Sequence, residues 1–388
     1  MNVLVIGAGV IGASIANSLA RRGASVTVLD MRSPGRGASW ASAGLLAPYT
    51  EAEEETPLLR MGIRSLSLFD DFVANARAAS GRSIEYARTG TFEIALTDED
   101  AAHLLGVKSW LDRAGVACEW SEGAAARDFE PAIAPQVRGG LFIPAHGFVG
   151  VGSLVSALLH AARFAGATLE SPVEAVDVTS NRSGAIVRAG DRRYEADRVV
   201  IAAGSWSRRV RVAGVAQLPV RPVRGQLLHL RWTAAARPAR PVWGPGCYTV
   251  PWSDGTLLVG ATVEEAGFDE STTVAGVQPL TSEVTALLPG AATATLLDAR
   301  AGLRPATADG LPIIGMSRSA PNVMFATGHF RNGILLAPLT AAMAEAALLN
   351  RRMDGQIEGQ KDGQMDGQMD AMMAETSPDR LVNAGGSR

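Results

Sequence analysis

Cysteine is scarce in this sequence, and its scarcity excludes several classes of protein. The 388 residues include two cysteines, Cys118 and Cys247, which are too few for a disulfide framework and lie in no CxxC or Cys/His cluster that would bind a metal. Low cysteine usage is typical of a reducing compartment, so we expect a cytoplasmic protein. The net charge of −3 gives no reason to expect nucleic acid or an anionic membrane as a partner.

Long apolar runs are also missing. The longest, residues 333–349, is interrupted by Pro338 and Glu345 and is too short for a transmembrane helix. The apolar start of the chain has no basic residue before it, unlike a signal peptide. With 388 residues, of which 47% are hydrophobic, the chain is expected to fold into two domains.

The first thirty residues contain a strong motif. A strand-like run from Val3 to Ile6 precedes a GxGxxG sequence, a helical pattern continues to about Arg22, and a second strand from Ser25 to Leu29 ends before Asp30. This order is the dinucleotide-binding fingerprint, in which the acidic residue binds a ribose hydroxyl. The glycines alone would be weak, since a glycine-rich turn without a ligand gives the same pattern. The flanking strands, the helix and Asp30 favour the dinucleotide site.

Each residue of the motif has a physical role in that interpretation. Gly7 allows a tight turn, Gly9 lets the pyrophosphate approach the backbone, and Gly12 lets the helix pack closely on the strand. Val10 and Ile11 begin a helix whose N-terminus carries the positive end of the macrodipole toward the phosphates.

The residues after the fingerprint are less typical of an NAD enzyme. NAD enzymes usually continue with alternating strands and helices, whereas residues 32–49 (RSPGRGASWASAGLLAPY) are rich in glycine and other small residues. The sheet is expected to resume near residues 194–207, where a strand ends in Ala202-Ala203-Gly204.

An arginine, Arg331, stands at the start of a long apolar run in TGHFRNGILLAP (327–338), which is expected to lead into a buried helix. Because a charged side chain is almost never buried without a partner, a negative group should lie near it. Asp309 would supply that charge if Arg331 is structural. A ligand carboxylate would instead make Arg331 part of an active site.

Taken in order, several motifs resemble the D-amino-acid oxidase superfamily of FAD enzymes, and within it the glycine oxidases linked to thiamine synthesis. The resemblance covers roughly residues 2–350. Its motifs are GAGVIG with Asp30, ASAGLLAPYTE (41–51), VVIAAGSWS (199–207), VRPVRGQLL (220–228), CYTVP (247–251), LVGATVEEAGFD (258–269), AGLRPATADGLPIIG (301–315) and GHFRNGILLAP (328–338).

The resemblance implies an α/β protein of two domains. The first would be a discontinuous, Rossmann-like FAD-binding domain formed by residues 1–85, 150–215 and 300–350. The second, formed by residues 86–149 and 216–299, would bind substrate on a mixed, largely antiparallel sheet. Hydrophobic alternation agrees with such a sheet in residues 218–232, 247–252, 256–263 and 293–304.

The last part of the chain, residues 351–388, lies beyond the resemblance. It contains a repeated [DE]GQx unit that is polar, glycine-rich and without an obvious apolar face. Such a segment cannot bury enough surface to offset its ordering entropy, so a disordered tail with no catalytic part is expected.

The family's FAD contacts, carried over residue by residue, imply a noncovalent cofactor site. No cysteine follows Cys247 and no histidine precedes His103, so the regions where related enzymes attach flavin covalently lack the necessary residue. The stretch from His329 to Leu335 would place a helix N-terminus at the flavin pyrimidine edge, where it stabilises negative charge on the reduced ring. The implied FAD contacts are Gly7, Gly9, Val10, Ile11, Gly12, Asp30, Met31, Ala38, Ser39, Ala43, Gly44, Leu45, Val173, His329, Phe330, Arg331, Asn332, Gly333, Ile334 and Leu335.

The resemblance also implies an answer for Arg331. Arg304 and Tyr248 match the pair that binds the substrate carboxylate in the family, and Arg331 matches a second contact nearby. The planar guanidinium of arginine suits this role because it binds a carboxylate through two parallel hydrogen bonds. We assign no side chain as acid or base. Gly246 and Trp252 depart from residues common in glycine oxidases and would flank the pocket wall.

The implied reaction is oxidation of glycine and small amines such as sarcosine and D-alanine by hydride transfer to flavin. The products would be an imine or 2-oxo acid, ammonia or an amine, and hydrogen peroxide, with oxygen as acceptor and the imine of glycine serving the thiamine thiazole. Two alternatives stay open: a D-amino-acid dehydrogenase that uses a quinone, and a flavin-binding subunit without turnover. The family suggests a homotetramer.

Overall fold

The dinucleotide fingerprint forms the middle of a six-stranded sheet. The computed structural model describes residues 1–50, 54–349 and 362–381. Neighbouring strands of the sheet are parallel except at one edge, where β20 is antiparallel to β21. In spatial order the strands are β20 (Ile313–Met316), β21 (Val323–Thr327), β13 (Arg198–Ile201), β1 (Asn2–Ile6), β2 (Ser25–Leu29) and β9 (Thr168–Glu170).

The strand next to β2 corrects one expectation from the sequence. The sheet was expected to resume near residue 194, but β9 pairs with β2 through Thr27–Thr168 and Leu29–Glu170, well before that point. Three residues without a hydrophobic run give little sequence signal for a strand. The long insertion between β2 and β9 therefore leaves the sheet and returns to it.

Nine helices lie in the described parts of the chain. Helices α1, α6 and α8 pack together on the six-stranded sheet and share a core with α2 and α3. The helices are α1 (Val10–Arg21), α2 (Pro57–Ser67), α3 (Phe69–Ser80), α4 (Asp98–Arg113), α5 (Gly123–Phe129), α6 (Val151–Phe164), α7 (Val274–Leu287), α8 (Ala337–Leu349) and α9 (Asp362–Thr376). Shorter 3₁₀ turns span Gly204–Arg209, Pro289–Thr293 and Pro378–Leu381. Among the described residues, none of the helices is long and apolar enough to cross a bilayer.

A second sheet has eight strands and is largely antiparallel, with one parallel pair between β5 and β16. Its apolar residues form a core of their own with α7. In spatial order the strands are β19 (Thr295–Ala306), β15 (Arg221–Arg231), β18 (Thr256–Gly260), β17 (Tyr248–Pro251), β16 (Val242–Trp243), β5 (Thr91–Ala95), β7 (Gly139–Ile143) and β6 (Glu119–Glu122). The predicted fold class, a Rossmann-like sheet beside a mixed and largely antiparallel one, is confirmed.

Two smaller sheets complete the described strands. The first packs against the face of the six-stranded sheet opposite the helices and contains β12 (Arg192–Ala196), β11 (Gly184–Ala189), β10 (Asp177–Asn181) and β14 (Arg211–Val212). The second contains β3 (Leu45–Leu46), β8 (Gly147–Val149) and β4 (Tyr86–Ala87). The domain boundaries at residues 86, 150, 216 and 300 stay a prediction, and β19 crosses the last of them.

The expectation of a disordered tail is wrong for residues 362–381. Helix α9 packs against β20 and α2, with Met369 and Met372 buried in the core beneath the helices. The Thr376 hydroxyl donates to the Ile314 carbonyl at 3.1 Å, and Arg380 forms an ion pair with Asp309 at 2.8 Å. Residues 351–361 and 382–388, which the same expectation covered, lie outside the described residues.

Removing residues 350–388 is therefore expected to destabilise the protein. The loss of two buried methionines should cost about 2–5 kcal/mol and lower Tm by about 5 °C or more. Met372→Ala should reproduce part of this loss, whereas Gln368→Ala, on an exposed position of the same helix, should leave Tm unchanged. Thermal unfolding of the three variants measures the effect. An unchanged Tm in the truncated chain would show that α9 does not contribute to the core.

Candidate functional site

A continuous cavity lies where the carboxyl ends of the parallel strands meet the eight-stranded sheet. Its lining includes the residues at the ends of β1, β2, β13 and β21 on one side and residues of β16, β17 and β19 on the other. This edge of a parallel sheet is where α/β proteins bind their ligands. The predicted cofactor and substrate residues line this cavity, apart from Gly12.

The N-terminus of α1 forms one wall of the cavity. The first helical hydrogen bond runs from Ala13 N–H to Gly9 C=O at 2.9 Å, so the helix geometry leaves the preceding N–H groups for other acceptors. The Val10 N–H donates to the Ser39 hydroxyl at 3.0 Å. This contact brings the 38–45 segment against the helix end that the sequence assigned to phosphates.

Two glycines of the fingerprint owe their identity to close backbone contacts. A Cβ at Gly7 would lie 2.4 Å from the Ala202 carbonyl oxygen, and Gly7 has a φ of 109°, which favours glycine. A Cβ at Gly12 would lie 1.9 Å from the Gly7 carbonyl oxygen. Gly12 thus packs helix against strand, as its place in the motif implied, and does not itself line the cavity.

Asp30 is held in position at the end of β2. Its carboxylate accepts from the Ala8 N–H at 2.6 Å and the Arg32 N–H at 2.9 Å, and the Val173 N–H donates to its carbonyl at 2.7 Å. Burial raises the pKa of Asp30 even though both N–H donors and Arg32 oppose the shift. A half-buried carboxylate in this state suits further hydroxyl donors such as those of a ribose.

The 43–45 segment passes through the middle of the cavity. Gly44 has a φ of 72°, and a Cβ there would lie 1.9 Å from the Val149 carbonyl oxygen. The Val149 N–H donates to the Gly44 carbonyl at 2.9 Å, and β3 then pairs with β8. Position 44 therefore requires glycine because of the close Val149 carbonyl as well as because it lines the cavity.

The expected helix N-terminus at residues 329–335 is wrong in position. Helix α8 begins at Ala337, and the preceding residues form successive turns, with Leu336 N–H donating to Asn332 C=O at 2.8 Å and Phe330 at a φ of 49°. The small residue Gly333 and the following Pro338 allow turns and a helix start within the same apolar run. These turns, rather than a regular helix, face the cavity.

His329 is buried within these turns and faces Thr340. Its Nε2 lies 3.0 Å from the Thr340 hydroxyl, and burial lowers the pKa of His329 to about 3. The imidazole is therefore neutral at physiological pH and is unsuited to act as a general base that must take up a proton. This agrees with leaving the acid and base roles unassigned.

Arg304 and Tyr248 reach the cavity from the eight-stranded sheet. Arg304 pairs across the sheet with Val223, and its side chain lies over Gly225, where a Cβ would come 2.3 Å from the guanidinium carbon. Tyr248 similarly lies over Gly260, where a Cβ would come 2.4 Å from the phenol oxygen. The two glycines leave the space in which both side chains lie flat against the sheet.

Arg331 lines the same cavity from the opposite side and is exposed. Asp309, considered as a structural partner for it, pairs instead with Arg380 on the C-terminal segment. The structure thus brings Arg331, Arg304 and Tyr248 to one cavity. Their roles in binding a substrate stay a prediction.

Gly246 and Trp252 do not flank this cavity as expected. A Cβ at Gly246 would meet the Glu283 carboxyl, and Trp252 packs edge-on against Phe148 with ring centroids 5.2 Å apart. Trp252 lines a separate cleft behind the 38–45 segment. The two positions at which the sequence departs from related proteins therefore lie outside the cavity lining.

Trp243 and Val263 are among the cavity residues that the sequence did not predict. Trp243 is paired with Tyr248 across a hairpin, with ring centroids 4.8 Å apart, and lines the cavity beside it. Val263 follows β18 and lines the cavity although it is 64% exposed. The alternating pattern VWGPGCYTV contains a signal for Trp243, since the turn GPG places it opposite Tyr248.

The comparison with known proteins agrees with this fold. The family model described as FAD dependent oxidoreductase (DAO) matches residues 2–347. The chain belongs to this family, and FAD is its cofactor. A bound dinucleotide fits the close backbone approaches at Gly7 and Gly44, the N-terminus of α1 and the half-buried Asp30 carboxylate.

Similarity to individual proteins indicates which kind of FAD-dependent oxidoreductase this chain is. A glycine oxidase from Geobacillus kaustophilus is 33% identical over 352 residues, which cover 90% of this chain and 93% of that protein. The crystal structure of glycine oxidase from that organism gives a TM-score of 0.86 at 32% identity, covering 92% of this chain and 96% of that one. Iminodiacetate oxidase from Chelativorans sp. gives a TM-score of 0.81 at 27% identity, with coverage of 92% and 97%. The protein is thus an FAD-dependent amine oxidase similar to glycine oxidases.

A relative from Nostoc sp., the bifunctional protein ThiO/ThiG, is 31% identical over 357 residues. The match covers 91% of this chain and 53% of that protein, so this chain spans about half its length.

Proposed function

We propose that the protein oxidises glycine and small amines such as sarcosine and D-alanine, with oxygen as acceptor. The observation that carries this proposal is the placement of Arg304 and Tyr248 over Gly225 and Gly260, on the cavity wall that faces the 43–45 segment. An arginine and a phenol together suit the carboxylate of an amino acid. Glycine oxidase relatives at about a third identity support the same substrate class.

The side chains would bind and orient the substrate. Arg304 would hold the carboxylate through its guanidinium, Tyr248 would donate a hydrogen bond to it, and Arg331 would add a second, weaker contact. Trp243 packs against the Tyr248 ring and lines the cavity beside it. The bound FAD, held noncovalently, would supply the acceptor for the α-hydrogen of the amine.

No proton-transferring side chain is required by this arrangement. An amine bound in its neutral form would lose a hydride from its α-carbon and leave an iminium ion. Loss of one N–H proton to water would give the imine, which water hydrolyses to a 2-oxo acid and ammonia. His329, neutral and directed at Thr340, would contribute through its backbone. Transfer of the electrons to oxygen would give hydrogen peroxide.

The thiazole ring of thiamine is the destination we propose for the imine of glycine. Similarity to the bifunctional ThiO/ThiG protein of Nostoc sp. supports this proposal. A homotetramer and a cytoplasmic location remain predictions from the family resemblance and from cysteine usage.

Aerobic turnover with a panel of amines tests the proposed function. Purified yellow protein should form peroxide with glycine, sarcosine and D-alanine, and acid precipitation should release the yellow colour into solution. Dye reduction without peroxide would favour a dehydrogenase that uses a quinone. Flavin that no amine bleaches would favour a subunit without turnover.

A further inference from the structure

The segment from Ala261 to Thr273, here called the cover segment, follows β18 and runs along the rim of the cavity. Two of its residues, Ala261 and Val263, line the cavity. Between them, the Thr262 carbonyl accepts a hydrogen bond from Arg304 Nη1 at 2.7 Å. The position of the Arg304 guanidinium therefore depends on where the cover segment holds the Thr262 carbonyl.

The cover segment is tied to β15 through its backbone. Arg224 and Glu264 exchange both backbone hydrogen bonds, at 2.8 and 2.9 Å, and Thr262 N–H donates to Gln226 C=O at 3.2 Å. The same strand, β15, contains Gly225, over which Arg304 lies. Residues 224–226 of β15 therefore contact both Arg304 and the backbone around the Thr262 carbonyl that accepts its hydrogen bond.

The side chain of Arg224, on β15, forms ion pairs with two acidic residues of the cover segment. The Arg224 guanidinium donates to Glu264 at 2.7 Å and to Asp269 at 2.6 Å, and its side chain is 8% exposed. The Arg224 side chain is buried, whereas Glu264 and Asp269 are 26% and 54% exposed. Removing Glu264 would leave a buried guanidinium with one ion-pair partner fewer, which is costly. Arg224 therefore fixes two points of the cover segment relative to β15.

Glu264 is the centre of this network. Its second carboxylate oxygen accepts from Gln226 Nε2 at 2.8 Å and from the Thr262 hydroxyl. Gln226 is fully buried, and its side chain also accepts from the Thr273 N–H at 2.8 Å. Burial disfavours the charge on Glu264, yet hydrogen bonds from Thr262, Arg224 and Gln226 outweigh it and hold the pKa of Glu264 below its usual value.

We infer that Glu264, held by Arg224 and Gln226, is a positioning residue that sets the Thr262 carbonyl and through it the guanidinium of Arg304. This inference rests on the proposed carboxylate-binding role of Arg304. Glu264 touches neither substrate nor flavin in this scheme. Replacing Glu264 should weaken binding of the substrate carboxylate and leave the reacting groups in place.

Glu264→Gln tests the inference because the amide keeps the shape and removes the charge. The Kd for acetate, read from its perturbation of the flavin spectrum, and the KM for glycine should both rise about 10-fold, since a displaced binding group loses part of its contact. We expect kcat, FAD content and oxidation of a carboxylate-free amine such as ethylamine to stay near wild type.

The neighbouring residue supplies a matched control. Glu265, on the cover segment, forms an ion pair with Arg221 on β15, but both side chains are more than half exposed. Such a pair contributes little, so Glu265→Gln should leave acetate binding unchanged. If Glu264→Gln fails to fold, Thr262→Val is the second variant. It keeps the carbonyl and removes the hydroxyl that donates to Glu264 and accepts from the Gln226 N–H at 2.9 Å, so it should raise the acetate Kd by a smaller factor.

The outcomes separate this inference from the proposed function. Acetate binding that survives Arg304→Ala would overturn the carboxylate anchor itself. Weak acetate binding in Arg304→Ala, together with wild-type binding in both Glu264→Gln and Thr262→Val, would overturn the role of Glu264 alone. An equal loss for ethylamine and glycine in Glu264→Gln would also overturn it, because the network would then support the whole site.

Discussion

Replacing Arg304 by alanine is expected to lower kcat/KM for glycine about 100-fold or more. A hydrogen bond to a charged group contributes about 1.5–3 kcal/mol, so the loss of a bidentate contact corresponds to at least this factor. Arg304→Lys keeps the charge but loses the planar pair of donors, so it should restore part of the activity. Steady-state kinetics on proteins with matched FAD content gives the comparison.

Two further measurements identify the cause of that loss. Oxidation of ethylamine, which has no carboxylate, should change little in Arg304→Ala. Arg331→Ala should lower kcat/KM for glycine less, on the order of 10-fold, as a second contact would. The carboxylate-anchor role of Arg304 is wrong if ethylamine is affected as much as glycine while FAD content stays normal.

Gly44→Ala is expected to remove most of the bound FAD. The new Cβ would lie 1.9 Å from the Val149 carbonyl oxygen, where contacts under 3.0 Å essentially never occur, so the segment must move by about 1 Å. A shift of that size across a cofactor cradle costs on the order of 100-fold in binding or rate. Titration of the apoprotein with FAD measures the change in Kd.

Gly81→Ala is the control for backbone strain. Gly81 ends α3 with a φ of 65°, close to the 72° of Gly44, but nothing lies within 4 Å of its Cβ position. Both variants place alanine in the left-handed region, which costs about 1–2 kcal/mol. Gly81→Ala should therefore lower Tm and leave FAD affinity unchanged. Equal FAD affinity in the two variants would contradict the close-contact explanation for Gly44.

The parts of the site that the sequence predicted well are those built from neighbouring residues. The fingerprint from Val3 to Asp30 contains its own strand, turn, helix and acidic residue, so local pattern is enough to place it. Arg304 and Tyr248 were identified by resemblance, because nothing in GLRP or CYTVP alone distinguishes a ligand contact from a surface turn or a core tyrosine.

The features that were missed depend on distant partners. Glu264 is one acid in a polar loop until β15 brings Arg224 and Gln226 beneath it. Similarly, Asp309 is a plausible partner for Arg331 until Arg380 of the C-terminal segment occupies it. Hydrogen bonds between residues far apart in sequence leave no periodic pattern from which to predict them.

The sequence failed to predict helix α9 for a different reason. The polar repeat predicts disorder, yet Met369 at its end and Met372 and Thr376 just after it are spaced three and four residues apart and form one face of a helix. A narrow apolar stripe is enough here because the segment packs on an existing core and does not build its own.

The order of strands in the six-stranded sheet governs when the protein can first hold its flavin during synthesis. Strand β1 is among the first residues translated, but it lies beside β13, which pairs with β21 through Val200–Met324 near the other end of the chain. Closing so long a loop costs little at equilibrium and slows folding considerably. Residues 326–327 and 329–335, which line the cavity, belong to β21 and the turns after it, so a ribosome-bound fragment that ends before β21 lacks part of the cofactor site. We therefore expect flavin to bind only late in folding.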